Sequence, residues 1–280
     1  MQKRTFAVMG HPIGHTMSPF IHRRLFALSG QEGDYGVLDI SPDDFLSSRP
    51  KWEALAGYNV TIPHKQRIIP FLHRLDPKAA LYGSVNTVRN GSLREGFTTD
   101  PDGFLKALEG AGIPLRGKTA ILGCGGAART FICEAVLAGC DVTVAVRPQS
   151  LDKARTALQE LEGKLGKGPI RLLSLPQLRG EFHLLINGTP VGMIPHTDEM
   201  PVDASFVSHC EAVFDAVYNP LRTRLIETAA ACGAKAVGGM PMLVWQAAAA
   251  HTIWDGSEYR PEDMEALTEE TAAELQRLFR

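Results

Sequence analysis

The sequence predicts an α/β chain of two domains, an N-terminal α/β domain followed by a doubly wound one. Three observations predict it. A short apolar run, a glycine-rich turn and a helix-compatible stretch follow one another between residues 118 and 147. Short apolar runs ending in polar or glycine turns recur through the second half. The first third instead mixes apolar runs with an Asn-Gly dipeptide of the kind that closes a hairpin.

Residues Lys118–Leu122 read as a buried parallel strand, because a short apolar run ending in glycine suits a sheet covered on both faces. Gly123-Cys124-Gly125-Gly126-Ala127-Ala128 then fits G-x-G-x-x-G/A. Gly123 allows the tight turn, Gly125 lets backbone approach a pyrophosphate, and Ala128 stays small enough for a helix to pack on the strand. A helix from about Gly126 to Ala138, stopped by Gly139, and a strand from Asp141 to Val146 complete a Rossmann-like βαβ unit. Its anion site lies at the helix N-terminus, where Gly126 and Ala127 stand. No acid stands at the tip of the second strand; Arg147 does. A carboxylate there would hold a ribose 2′-hydroxyl and repel a 2′-phosphate, whereas a guanidinium grips that phosphate through paired hydrogen bonds. NADP is therefore favoured over NAD. The competing reading of Arg147 is a solvated strand-end charge.

Bulk composition frames this reading. A chain of 280 residues with 44% hydrophobic side chains has material for one large domain or two modest ones. A net charge of -2 without a basic cluster argues against nucleic acid and anionic membrane surfaces. The five cysteines form no C-x-x-C pair and are odd in number, the pattern of reduced thiols in a cytoplasm. Pro12 and Gly14 interrupt the N-terminal apolar run, so no signal peptide is expected. Met240–Trp254 is too short to span a bilayer and carries Gln246 and His251.

From the start of the chain, Thr5–Gly10 reads as a strand, followed by a turn through Pro19 and a helix with Phe20, Ile21, Leu25 and Leu28 on one face. Ser18 is an N-cap candidate. Its other reading is functional: the hydroxyls of Thr16 and Ser18, near a helix N-terminus, would receive a carboxylate. His11 and His15 are four apart, but Pro12 and Gly14 deny them a shared helix face, so no metal site is expected. Tyr35–Ile40 is a strand and Pro42–Ser48 a short helix begun by Ser41. Tyr58–Lys65 reads as a strand entering a Pro-ended turn, with a helix from about Lys65 to Leu75. Val85–Arg89 and Leu93–Thr98 flank Asn90-Gly91, the dipeptide that type I′ turns prefer. A helix from about Asp102 to Glu109 leads to a hinge at 111–114. Beyond Arg147, Leu151–Leu161 is an amphipathic helix and Gly163–Gly168 a Lys/Gly-rich loop. Phe182–Ile186, Ala212–Val217 and Lys235–Val237 are further strands, and the turns that end them are cleft candidates at carboxyl ends. Helices over Met240–Trp254 and Pro261–Phe279 close the chain. The second presents Met264, Leu267, Thr271, Leu275 and Leu278 as one stripe, expected to pack on the body.

In order along the chain, these residues resemble the shikimate dehydrogenases. The likeness rests on His11-Pro12-Ile13-Gly14-His15-Thr16-Met17-Ser18-Pro19, Asn59-Val60-Thr61-Ile62-Pro63-His64-Lys65, Gly83-Ser84-Val85-Asn86-Thr87 and Thr99-Asp100. It continues through the glycine turn, Asn187-Gly188-Thr189-Pro190-Val191-Gly192-Met193, Asp215-x-x-Tyr218-Asn219-Pro220-x-x-Thr223, and Gly239-x-x-Met242-Leu243-x-x-Gln246. Their joint order carries the resemblance, which spans nearly the whole chain. It implies that residues 1–103 and 241–280 form the substrate-binding, catalytic domain, with the C-terminal helices returning to it. Residues 104–240 would form the NADP-binding domain. It further implies a cytoplasmic enzyme of aromatic amino-acid biosynthesis that interconverts 3-dehydroshikimate and shikimate, as a monomer or homodimer.

Residue by residue, the resemblance makes Lys65 and Asp100 the catalytic pair. Thr16, Ser18 and Tyr218 would hold the substrate carboxylate, and Thr61, Asn86, Asp100 and Gln246 the ring hydroxyls. The cofactor would lie on Gly123, Gly125, Gly126, Ala127, Ala128 and Arg147, with Asn187, Thr189 and Gly239 around it. A free lysine titrates near ~10.4, so Lys65 as a base requires burial or positive neighbours. A charged Lys65 held by Asp100 would instead stabilise an oxyanion and donate a proton in the reducing direction. Taken singly, Lys65 also reads as a solvated helix-start lysine and Asn86 as a strand-end cap. Three positions depart from the family pattern. Thr16 stands where Ser is frequent; Thr98 and Pro101 flank Thr99-Asp100, where Asn and Gly are usual, which threatens to re-aim Asp100; and Val146-Arg147-Pro148 replaces Asn-Arg-Thr, removing a hydroxyl donor to the 2′-phosphate. Three rivals remain: a quinate or dual quinate/shikimate dehydrogenase using NAD, a catalytically silent sensor of a shikimate-like acid, and another lysine-using dehydrogenase of similar build. Retention of both Lys65 and Asp100 speaks against the sensor.

Overall fold

The computed structural model describes residues 4–14, 16–166 and 170–278. His15, part of the 163–168 loop and Phe279 lie outside the described residues. The chain divides into two compact units, Met1–Gly103 with Val244–Arg280, and Phe104–Leu243. Among the described residues, each carries a six-stranded sheet.

The first unit opens β1 (Arg4–Gly10), α1 (Ser18–Ser29), β2 (Gly33–Asp39), α2 (Arg49–Glu53) and β3 (Gly57–Val60). It continues β4 (Arg74–Leu75), α3 (Pro77–Tyr82), β5 (Thr87–Asn90) and β6 (Arg94–Phe97). The sheet order is β2-β1-β3-β5-β6-β4. β1 lies parallel to both β2 and β3, while β5 runs antiparallel to β3 and β6. Parallel neighbours deliver their following loops at the same edge, so the turns after β1 and β3 meet: the His11 amide donates to the Ile62 carbonyl at 2.9 Å. Three long side chains, Trp52, Tyr58 and Ile68, are fully buried on one side of the sheet with Phe45 and Val88.

Four local expectations give way here. Residues 42–48 form turns, because Ser41 Oγ accepts the Asp44 amide and Ser47 Oγ donates to the Asp44 carbonyl, drawing backbone groups out of a helical ladder. The helix begins only at Arg49. The stretch 65–75 is not a helix either. Pro70 has no N–H to continue the ladder, and Ile69, Phe71 and Leu72 close tighter bonds three residues back before β4 begins. Asn90-Gly91 does not make a type I′ turn: neither residue takes a positive φ, and Gly91–Leu93 form a three-residue loop. Asn90 instead donates its amide to the carbonyls of Trp52 and Leu55 at 3.1 and 2.8 Å. Ser18 is not the N-cap of α1 but its first residue, and its amide donates to Thr16 Oγ1 at 3.2 Å.

Helix α4 (Asp100–Gly110) begins in the first unit and ends in the second, which continues with β7 (Lys118–Leu122), α5 (Gly126–Leu137), β8 (Asp141–Val146), α6 (Leu151–Leu165), β9 (Arg171–Ser174) and β10 (Phe182–Asn187). The second unit ends with α7 (Ala204–Val207), β11 (Cys210–Asp215), α8 (Arg224–Ala231) and β12 (Lys235–Val237). Its sheet is parallel throughout, in the order β12-β11-β10-β7-β8-β9, the doubly wound arrangement with its switch point between β7 and β10. The short β9 and the helices α7 and α8 went unread in the sequence. Helix α6 runs through Gly163 to Leu165 rather than yielding to a loop there. Phe104, Phe131 and Phe214 of β11 pack with ring centroids 4.7 to 5.4 Å apart, Phe214 edge-on to the other two, and fasten α4 to the sheet.

Helices α9 (Met240–Asp255) and α10 (Pro261–Leu278) bring the chain back into the first unit. Trp254 packs on Phe6 at 4.7 Å and donates to the Val88 carbonyl at 2.9 Å. Arg24 on α1 forks onto Glu270 on α10 with two 2.7 Å bonds. The α10 stripe buries Met264, Leu267, Thr271 and Leu275 but runs out at Leu278, which is exposed.

A buried imidazole pair lies between α1 and α9. His22 Nδ1 is 3.0 Å from His251 Nε2, and both rings are fully buried beside Tyr35, Phe26, Trp254 and Tyr259. Burial drives His251 down from the usual 6.5 to about 4, opposed by the Asp255 carboxylate and assisted by Arg4. Burial and then His251 lower His22 as well. Depressed folded-state values favour the neutral rings, so their contribution is present above pH 6.5 and lost as pH falls towards 4. Chemical denaturation across this window should therefore show wild-type stability falling. His251→Gln, weaker at neutral pH, should fall less steeply over the same range.

Candidate functional site

The first-unit candidates converge on the Asn86 amide. Asn86 follows the turn that Gly83 makes after α3, and its backbone joins β3 and β6: Val60 N–H donates to its carbonyl, and its own N–H to Phe97. Its side chain is buried, with Nδ2 donating to Asp100 Oδ1 at 2.8 Å, Thr99 Oγ1 at 2.9 Å and Gln246 Oε1 at 3.3 Å. Its Oδ1 accepts the Thr99 amide at 2.7 Å. The other Asp100 oxygen receives Lys65 Nζ at 2.5 Å, with side-chain exposures of 16% for Lys65 and 7% for Asp100. Lys65 is held from behind, since its carbonyl accepts the Val85 amide beside Asn86. An ammonium bonded once to a carboxylate keeps two N–H groups for oxygens in front of it.

Asp100 starts α4, and Pro101 stands in the first turn, where a missing N–H costs no helical hydrogen bond. The departure at Pro101 therefore leaves Asp100 aimed at Lys65 and Asn86. Thr98 places a buried hydroxyl with no partner among the described residues. At the neighbouring loop, Thr61 is half-buried, with its amide on the Met9 carbonyl, and Thr16 Oγ1 donates to Ser18 Oγ at 3.0 Å. His11 Nδ1 lies 2.7 Å from Asp39 Oδ1.

The second-unit candidates lie at the carboxyl ends of β7, β8, β10 and β11. Gly123 turns at φ 94°, and a Cβ there would approach the Thr189 methyl to 2.9 Å. A Cβ at Gly125 or Gly126 would meet nothing within 4 Å, so the backbone at the N-terminus of α5 is open to a ligand. Ala127 is half-buried there, and Ala128 is fully buried against Gly188. Arg147 is exposed at the end of β8. Burial raises the Cys124 thiol, while Arg129 and Lys153 act on it in the opposite sense.

Asn187 is buried and turned inwards. Its Nδ2 donates to Asp215 Oδ1 at 2.9 Å, and its Oδ1 accepts Thr189 Oγ1 at 2.6 Å and the Thr189 amide at 3.0 Å. Asp215, fully buried, also receives Thr223 Oγ1 at 2.6 Å and the Val217 amide at 3.0 Å. Burial raises this carboxyl despite the three donors. Tyr218 follows on the β11 turn, half-buried, and burial raises its phenol so that it stays protonated. A Cβ on Gly239 would fall 2.3 Å from the Ala216 carbonyl oxygen, so the backbone approach there requires glycine.

Residues 8–88 match the family model described as the shikimate dehydrogenase substrate binding domain. A shikimate dehydrogenase (NADP(+)) of Moorella thermoacetica is 38% identical over 260 residues, 90% of this chain and 88% of that one. Its namesake from Methanopyrus kandleri is 39% identical over 263 residues, 90% of both chains. A solved structure of the Thermus thermophilus enzyme with NADP(H) and shikimate superposes with a TM-score of 0.84 at 35% identity, covering 96% of this chain and 99% of that one. The chain belongs to the shikimate dehydrogenase family.

Within a shikimate dehydrogenase fold, the buried carboxylate Asp215 and its partner Thr223 carry a share of the architecture that their motif alone did not reveal. Thr99 and Thr87, which hydrogen-bond Asn86, were named within their motifs but given no role of their own. Thr223→Val removes one donor to a buried carboxylate. It should cost about 1–3 kcal/mol in denaturant unfolding, the penalty for a buried group left unpaired.

Proposed function

We propose that this chain is an NADP-dependent shikimate dehydrogenase, reversibly reducing 3-dehydroshikimate to shikimate. The observation that carries the reading is the Lys65–Asp100 ion pair, fixed by Asn86 and left part-open at the carboxyl edge of the first-unit sheet. Thr16, Ser18 and Tyr218 hold the substrate carboxylate, and Thr61, Asn86, Asp100 and Gln246 its hydroxyls. Residues 1–103 and 241–280 are the substrate-binding part and residues 104–240 the cofactor-binding part.

The second unit fits NADP on its own geometry. Open backbone at Gly125 and Gly126 heads α5, whose free N–H groups suit a pyrophosphate, and Arg147 at the tip of β8 suits a 2′-phosphate. Gly123, Ala127 and Ala128 shape that turn, Thr189 covers it, Asn187 orients Thr189 from below, and Gly239 opens the nicotinamide end. When bound, the cofactor supplies or accepts the hydride at the substrate's C–O carbon.

The proton belongs to the chain's own side chains. In the reducing direction the Lys65 ammonium donates a hydrogen bond to the carbonyl oxygen and then its proton, while Asp100 holds the amine in line. In the oxidising direction the same nitrogen takes the hydroxyl proton. Asn86 keeps Asp100 turned towards Lys65 throughout. Buried small molecules of this kind need polar partners on every hydroxyl, and the cluster around Asn86 offers both donors and acceptors.

Initial rates with shikimate and NADP+ test the reading, and turnover with quinate or NAD+ instead would redirect it. Lys65→Ala should lower kcat about 10²–10⁴-fold, the span of a lost general acid–base group. Arg147→Ala should raise the KM for NADP+ about tenfold or more while leaving NAD+ kinetics in place, since a lost charge-assisted bond is worth about 1.5–3 kcal/mol.

A further inference from the structure

Tyr35 has no place in the chemistry described above, yet its hydroxyl stands at a junction. It lies on β2, in register with Phe6 of β1, and is 8% exposed. Its O–H donates to Asn59 Oδ1 at 2.6 Å. Asn59 on β3 donates in turn to Thr87 Oγ1 at 3.1 Å and to the Asn86 carbonyl at 3.3 Å. Thr87 Oγ1 donates to Asn86 Oδ1 at 3.1 Å, and Asn86 leads to Asp100 and Lys65. On its other side the Ser18 side chain acts on the phenol, opposing the effect of burial, and the Ser18 oxygen accepts Thr16 Oγ1.

These bonds run head to tail in one direction: Tyr35 to Asn59, Asn59 to Thr87, Thr87 to Asn86, and Asn86 to Asp100. Each hydroxyl or amide donates to the next, so turning any member requires its neighbours to turn as well. Burial lifts the Tyr35 phenol well above its usual range, so the donor keeps its proton. The ring itself is fixed by His22, stacked on it at 3.9 Å and within 5° of parallel. His22 is locked in turn on His251.

We propose that Tyr35 is a positioning residue for the substrate site, setting, through Asn59 and Thr87, the Asn86 amide for the ring hydroxyls and Asp100. It touches no reacting atom. Its effect falls on how well shikimate is held and aligned. The proposal rests on the shikimate dehydrogenase reading.

The test uses the full chain and shikimate oxidation by NADP+. Tyr35→Phe keeps the ring on His22 and removes the hydroxyl alone. The KM for shikimate should rise about tenfold, with kcat changing less than threefold and the KM for NADP+ unchanged. Thr87→Val should also raise the shikimate KM, and adding Tyr35→Phe to it should raise the KM by much less than the same change does in wild type. The proposal is overturned if Tyr35→Phe leaves the shikimate KM within twofold, or if the two changes multiply fully. It also fails if the variant merely lowers the melting temperature while the folded enzyme keeps its kinetic constants. Absence of turnover by the wild type would overturn the function along with it, whereas active wild type with an indifferent Tyr35→Phe removes only the role of Tyr35.

Discussion

The first unit depends on the saturation of one buried amide. Asn86 presents two amide hydrogens to oxygens of Asp100, Thr99 and Gln246, which come from the head of α4 and from α9, while its carbonyl oxygen takes the Thr99 backbone. A buried polar group left without partners costs more than the bond it would have made, so each oxygen is drawn to Asn86 and held there. Segments far apart in sequence, near residues 86, 100 and 246, are thereby tied at one point. The Lys65–Asp100 pair inherits its geometry from this knot, because one carboxylate oxygen is already engaged when the lysine binds the other.

The second unit repeats the device with other residues. Asn187 and Asp215 end adjacent parallel strands, β10 and β11, in direct register. Their side chains bond to each other and to Thr189, Thr223 and the Val217 amide, so the loops leaving the sheet are fastened at their roots. A desolvated carboxylate is an expensive fastening: burial raises Asp215, and the three donors only partly oppose that. What the arrangement secures is loop position at the carboxyl edge, where the glycine turn also opens. Gly123 and Thr189 meet there closely enough that a Cβ on the glycine would crowd the threonine methyl. Both units thus fix their working loops with an asparagine whose amide faces inwards.

Much of the fold was legible where local chemistry and tertiary packing agree. The strand, glycine turn, helix and strand from Lys118 to Val146 stand within a residue of where the apolar runs and Gly139 put them, because period and punctuation both act there. Legibility failed where a short-range rule met a competing partner. Asn90-Gly91 has the composition of a type I′ turn, but Asn90 is held by the carbonyls of Trp52 and Leu55, and the chain turns one residue later. Pro70 was visible in an otherwise helical pattern and should have ended it. Asp76-Pro77 with Gly83 beyond was an N-cap, first-turn proline and C-terminal glycine in full, and α3 sits between them. The candidate site residues stood out through their motif order, whereas the groups that orient them did not. Thr87, Thr99 and Thr223 act through bonds that only the folded register creates, and nothing in a threonine's own neighbourhood announces them.

That asymmetry follows from how polar side chains work inside a protein. A group that meets a ligand has to be of one chemical type at one position, which leaves a pattern in the chain. A group that holds another side chain needs a donor or acceptor of the right reach, and several residue types on several elements supply one. Asn59, Thr87 and Thr99 all bond the same pair of strands and loops around Asn86, each from a different strand or strand end. Their joint effect is cooperative, since each bond polarises and orients the next, and removing one weakens all. The part-buried ammonium of Lys65 is therefore the last member of a network whose rigidity is set deeper in the sheet. A lysine of the same sequence motif on a softer support would carry the same charge without the same aim.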